Sequence, residues 1–140
     1  MTGIQDTLFD MGITPGTPSA LTVRQPWASL IIAGIKDVEN RGKPTSRRGT
    51  ILIHAGLGTS PEGMRDHGGL LPGYPAGVII GAVDIIGCVR DSRSEWAMDG
   101  CWHWLLANPR ACDPVPAGGA LSFWKPESGD WDRVQATLAA

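Results

Sequence analysis

The sequence predicts an α+β fold, a small mixed β-barrel whose openings are covered by short helices. Three observations carry this. Apolar runs of strand length recur between glycine and proline punctuation, at residues 21–23, 51–54, 78–87 and 102–107. The gaps between them are too irregular for repeated βαβ units, which favours a barrel over a doubly wound sheet. The helical signals are brief and scattered among the strands. With 140 residues the chain buries about 68% of its unfolded surface, enough for one core. The domain is expected over residues 20–126. A flexible tail, residues 1–19, precedes it, and a C-terminal helix or tail, residues 127–140, follows.

The elements follow in order. After the first strand, Gln25 can cap a helix that Pro26 opens and Gly34 ends in a left-handed C′ residue. Trp27, Leu30 and Ile31 share its apolar stripe. A short strand over 37–41 then points Glu39 and Arg41 to one side, because alternate side chains share a face. Beyond residues 51–54, the stretch from Gly56 to Ser60 reads as a loop before a helix, a place that is a plain turn or an anion contact. Ser60-Pro61 opens that helix and Gly68-Gly69 closes it. Gly81 and Gly87 mark bends in the long strand. Ser92 with Glu95 forms a capping box for a helix through Ala97, and Asp130 caps a last helix through Leu138 with Trp131 and Val134 facing inward. Asp84, the one charge in its strand, needs a basic partner, for which Arg41 and Lys125 are candidates.

Net charge is −2, but it is unevenly spread. Six of the twelve basic residues fall between Arg24 and Arg48 against two acids, so a dipolar molecule with one basic face is expected. Phosphate affinity follows such local clusters, and a footprint this small implies weak, salt-sensitive binding; a solvated charged loop is the ordinary alternative. The three cysteines, Cys88, Cys101 and Cys112, show neither disulfide-framework nor zinc spacing, even with His103 nearby, so no metal or cofactor is expected. No apolar run approaches the roughly 20 residues of a membrane helix. The N-terminus has no basic region followed by an apolar core. A cytoplasmic protein with no membrane partner is the expectation.

The run Gln25-Pro26-Trp27-Ala28, followed by Gly34-Ile35-Lys36-Asp37-Val38-Glu39-Asn40-Arg41, carries the pattern G-x-K-x-x-E-x-R. The likeness continues through Arg48-Gly49, the ILIHA strand, Tyr74-Pro75 with GVIIGAVDIIGC, Asn108-Pro109 and Phe123-Trp124-Lys125. In these features, in this order, the chain resembles the ASCH domain, a member of the PUA-like superfamily. The resemblance implies a PUA-like barrel and binding of RNA or DNA through a basic cleft beside the signature.

On that reading Arg24, Lys36, Arg41, Arg47 and Arg48 meet phosphate and sugar, while an unpaired or modified base enters with Gln25, Trp27, His54, Trp124 and Lys125 around it. Trp124 or Trp27 offers a stacking face; the other tryptophans read as core. His54, at a strand end, is either a pocket group or a satisfied structural donor. An enzymatic alternative also follows from the resemblance, since small family members include an N4-acetylcytidine amidohydrolase and a ribonuclease. Lys36 would then shuttle protons and Glu39 activate water, with amides of residues 56–60 holding an oxyanion. The amidohydrolase pattern has a threonine nucleophile where this chain has Glu39. A third alternative is a protein-interaction module: Gln5, Leu8 and Phe9 resemble the short bacterial peptide that docks on the sliding clamp.

Overall fold

A computed structural model describes residues 16–140. The clamp-like residues Gln5, Leu8 and Phe9 lie outside that range. Six strands form one mixed sheet: β1 (Ala20–Gln25), β2 (Val38–Arg41), β3 (Gly49–Thr59), β4 (Val78–Val89), β5 (Trp102–Pro116) and β6 (Phe123–Trp124). Their order across the sheet is β2-β5-β4-β3-β1-β6, and it curls into a half-barrel. β1 and β3 run parallel; every other pair is antiparallel. The helices are short: α1 (Trp27–Ile32), α2 (Pro61–His67) and α3 (Ser128–Thr137).

Pattern and burial agree along most of the chain. Val23, Ile51, Ile53, Val83 and Ile85 meet Ala28 and Ile31 of α1 in the main core. Ala20, Leu52, Ile79 and Ala82, on the other sheet face, form a second core closed by Val134 of α3, which is fully buried. The alternation of Leu52 against Ile51 and Ile53 is the period-2 rule of a strand covered on both faces. The C-terminal helix is thus a wall of the fold, its anchor reinforced by Ala139 N–H donating to Ala111 O at 2.8 Å. At the other end Ser19 is 4% exposed and its carbonyl accepts from Leu52 N–H, so the packed structure already includes the residue before the expected Ala20 boundary.

Several local expectations are corrected. Residues 56–59 are the end of β3 rather than a loop, and the Ser60 amide donates to Gln25 O, which removes the proposed oxyanion cradle. Ser60 does cap α2, accepting from Gly63 N–H at 3.1 Å. β5 continues nine residues past Ala107 because Asn108, in the left-handed region at φ 56°, forms a bulge that absorbs Pro109 and shifts the register between the pairs Asp84–Ala107 and Ala82–Arg110. The Ser92–Glu95 capping box does not form. Ser92 and Ser94 hydroxyls instead cap successive turns of an irregular loop, accepting from the amides of Ser94 and Trp96. Asp84 pairs with neither candidate: its partners are Arg110, Thr50 and Asn108. Among the described residues, no helix is long and apolar enough to cross a membrane.

Candidate nucleic-acid interface

The segment from Gln25 to Arg41 builds one side of a cleft of about 640 Å³, inside the roughly 300–1,000 Å³ range of small-molecule sites. Gln25 is 1% exposed. Its Oε1 accepts from Ser29 N–H at 3.0 Å and its Nε2 donates to Ser29 Oγ and to Pro75 O. It caps the first turn of α1 and pins the Tyr74-Pro75 segment, so it braces the cleft from behind. Gly34, at φ +79°, ends the helix as its sequence position implies. Trp27 is half-buried: it packs against the main core with Ile31 and also lines the cleft. Gly63 of α2 lies against its indole so closely that a Cβ there would sit 2.5 Å from Cζ2, which is why this helix can form the facing wall.

Lys36 forms the floor. It is 4% exposed, its Nζ donates to Val38 O, and it lies 5.5 Å from the Trp27 ring centre and 6.0 Å from that of Trp96. An ammonium has three donors, and among the described residues only this one is used. No carboxylate of the described residues comes within 4.0 Å of it. Desolvation by burial lowers its pKa from the usual 10.5, outweighing the opposing pull of Glu39 and Asp37; Arg41 lowers it further. Glu39, 7% exposed, takes Arg41 Nε and Nη2 on Oε2, each at 2.9 Å. Its Oε1 accepts no hydrogen bond from the described residues and is open to the cleft. Arg41 also donates to Thr22 O and lies 5.6 Å from the Trp104 ring.

The remaining wall is the loop 92–98, in place of the helix expected from Ser92 through Ala97. Three side chains hold it. Asn40 donates to Trp96 O and accepts from Met98 N–H, both at 2.9 Å; Asp37 accepts from Ser94 Oγ; and His103, 1% exposed, accepts from Ser92 N–H on Nδ1 and donates to Met98 O from Nε2. The loop thereby sets Trp96 against Trp27 and His67, ring centres 6.4 and 4.8 Å away.

Of the residues the sequence singled out, the structure gathers Arg24, Trp27, Lys36, Glu39 and Arg41 at one cleft. The others stand elsewhere. His54 is 2% exposed, with Nε2 donating to Ala117 O and Nδ1 accepting from the Thr22 hydroxyl; it is a satisfied structural group. Trp124 Nε1 donates to that same hydroxyl, and Lys125 Nζ reaches Thr17 O. Arg47 lies 4.3 Å from the Phe123 ring centre, and Arg48 bonds the carbonyls of Thr45 and Arg47. Trp96, His67, Glu62, Asp66, Glu95 and Met98 line the cleft without having been read as site residues from the sequence. A signal existed for α2: Glu62 and Asp66, and Gly63 and His67, are each four apart on a helix and so share a face. None existed for loop 92–98, whose shape depends on distant Asn40 and His103. With Glu39, Glu62, Asp66 and Glu95 facing Arg24, Lys36 and Arg41, the cleft is polarised rather than uniformly basic.

Cysteine chemistry has no place in it: the three thiols are free, none lines the cleft, and Cys112 is pushed up to about 11 by burial beside Asp113.

A mixed sheet curled into a half-barrel with a few short helices is the PUA-like fold. The sequence model of the ASCH domain matches residues 21–116, and the chain belongs to the ASCH family. It is similar to Activating signal cointegrator 1 of Mus musculus, at 32% identity over 145 aligned positions, and of Homo sapiens, at 39%. Each alignment covers 89% of this chain but a quarter of the relative, 25%. Among solved structures it resembles ASCH from Zymomonas mobilis, with a TM-score of 0.57 and 14% identity over 88% of this chain and 96% of that one. A point mutant of that same Zymomonas mobilis protein gives a TM-score of 0.56, again at 14% identity, over 88% of this chain and 99% of that one. At such identity the likeness speaks for the fold.

Proposed function

We propose that the chain is a nucleic-acid-binding module that accepts one unpaired nucleotide of RNA or DNA in the cleft. The observation that carries this reading is the presence of two arginines, a buried ammonium and two indole rings on one concave surface. Arg24 and Arg41 meet phosphate, and Trp27 with Trp96 offers an aromatic surface to whatever replaces the stack. Glu62, Asp66 and Glu95 repel phosphate from the far wall, so the strand runs over the arginine side. A uniform duplex does not satisfy the floor, because Lys36, at 4% exposure, lies too deep for a stacked base pair to reach its unused donors.

The test is a titration with fluorescent single- and double-stranded RNA and DNA at two salt concentrations. Binding should favour unpaired strands, with a log–log salt slope of about −1.5 to −2 for two or three phosphate contacts, and collapse in Lys36→Ala and Arg41→Ala. No binding to any strand sinks the reading. A hydrolase of the amidohydrolase or ribonuclease type is favoured by one feature, the open Oε1 of Glu39 beside Lys36; turnover of N4-acetylcytidine or cleavage of RNA in the same tubes decides it. If neither binding nor turnover is seen, the polarised face is a protein-docking surface.

A further inference from the structure

Lys36 combines features that neither phosphate binding nor packing requires. A lysine meant to hold phosphate is normally exposed and strongly hydrated, as a point charge. This one is 4% exposed, roofed by two indoles, bonded to one carbonyl and, among the described residues, without a contacting carboxylate. A desolvated amine in an aromatic pocket is the setting in which lysine becomes a nucleophile toward a carbonyl carbon. The lowered pKa agrees, since it raises the share of free amine near neutral pH.

We propose that Lys36 attacks the aldehyde of a base-less nucleotide in DNA, whose ring-opened sugar presents C1′ at the cleft floor. This rests on the reading of the cleft as a nucleotide site and adds a chemistry to it. A base-less residue leaves the helix at the least cost, because nothing must be unstacked or unpaired. Its two flanking phosphates find Arg24 and Arg41, while the acidic far wall keeps the strand from crossing it.

The step balances without an oxidant or reductant. The Lys36 amine adds to C1′ and one water leaves, giving a protonated imine. The imine acidifies C2′, and Glu39 takes the C2′ proton on its open Oε1. The electron pair forms the C2′–C3′ double bond and expels the 3′-phosphate, breaking the strand. One water then hydrolyses the imine, restoring Lys36 and releasing an unsaturated aldehyde on the 5′ fragment.

The experiment incubates the protein with a DNA strand carrying one abasic site, made by excising a uracil, in the presence of borohydride, which reduces an imine to a stable amine. In parallel, affinity is measured for the same strand with a tetrahydrofuran residue, which has the shape of the site but no aldehyde. The expected result is a one-to-one adduct mapping to the peptide that contains Lys36, reduced at least about 100-fold in Lys36→Arg. Glu39→Gln should keep the adduct and lose strand breakage. Mapping on the unaltered protein makes the outcome independent of how the variants fold. Tetrahydrofuran binding without an adduct, or an adduct on another amine, overturns the imine and leaves the nucleotide site standing; no binding of the tetrahydrofuran strand overturns both.

Discussion

Two charged clusters in this fold use the same materials and reach opposite states. In β4, Asp84 points away from the main core that holds Val83 and Ile85. Both of its oxygens are engaged: Thr50 and Arg110 on Oδ1, Asn108 on Oδ2. Desolvation works against its charge, but those three hydrogen-bond partners and the Arg110 charge win and lower its pKa below 3.8. In the cleft, Glu39 and Arg41 form a close pair yet leave Glu39 Oε1 open, and among the described residues Lys36 beside them uses one donor of three. The first cluster is closed and braces the β5 bulge at Asn108. The second leaves hydrogen-bonding capacity free on its cleft side, where a ligand can take it up.

The sharpest way to break that contrast is Lys36→Met. The methionine fills a similar volume without a charge, so nucleic-acid affinity should fall about 100-fold, the loss of one buried charged contact, while stability rises. The sign follows from linkage. Lys36 loses its proton below 10.5 in the folded protein, so between its lowered pKa and 10.5 the unfolded chain binds more protons, and stability climbs with pH across that window. Below the window the folded state carries the full penalty. Thermal unfolding at neutral pH should show a gain of about 1 kcal/mol, or about 3–5 °C, and a flatter alkaline limb. A lower melting temperature would make Lys36 a structural brace.

Arg41→Ala should reverse one of these signs. It removes a phosphate contact and strips Glu39, 7% exposed, of its ion pair. Binding and stability then fall together, stability by about 2 kcal/mol for a pair partly removed from water. Arg110→Ala is the complement in the closed cluster: about 1 kcal/mol of stability is lost, with binding unchanged. The acid limb of the melting curve reports the same pair. Asp84 contributes above pH 3.8 and its contribution fades as pH falls through its lowered pKa, so Arg110→Ala should make the protein less sensitive to acid in that range. If Arg110→Ala weakened binding as much as Arg41→Ala, the distinction between the clusters would fail.

How much of this is legible in the sequence depends on how locally each feature is encoded. The helix 27–32 and the turn toward Glu39 and Arg41 are written in adjacent residues, Pro26, Gly34 and the alternation of strand β2, and the structure has them in place. The ion pair of Arg41 with Glu39 follows from that alternation alone. The ends of β3 and β5 are not legible. Gly56 and Gly58, and Pro109, look like breakers until the strands' pairing with β1 and β4 shows them inside β3 and β5. His54 and Gln25 read as site residues because they follow and precede the right segments, and only the packed structure shows their bonds turned inward. The cleft's second wall is illegible for the same reason. Asn40, fifty-six residues before Trp96, fixes it.

That long-range tether is testable. Asn40→Ala removes two hydrogen bonds to the backbone of the loop 92–98, about 1 kcal/mol each. His103 and Asp37 still hold the loop at Ser92, Ser94 and Met98, so the fold should survive and the loop loosen. Amide hydrogen exchange should accelerate at Met98 and its neighbours about tenfold, and affinity should fall severalfold because Trp96 must be re-ordered on binding. Unchanged exchange there would mean that His103 and Asp37 set the wall without Asn40.

The smallest effect is expected where the sequence points most strongly by charge. Arg47 and Arg48 belong to the same basic run as Lys36 and Arg41, and on charge density alone their loss should matter equally. The structure separates them: Arg47 stacks on Phe123 and bonds Ser19, Arg48 folds back onto its own loop, and neither lines the cleft. Arg47→Ala and Arg48→Ala should therefore change affinity by less than about twofold at moderate salt and the salt slope by well under the ~0.7–0.9 that a direct phosphate contact carries. Either substitution matching Arg41→Ala would mean that the strand leaves the cleft across this loop, and that the closed and open clusters together underestimate the interface.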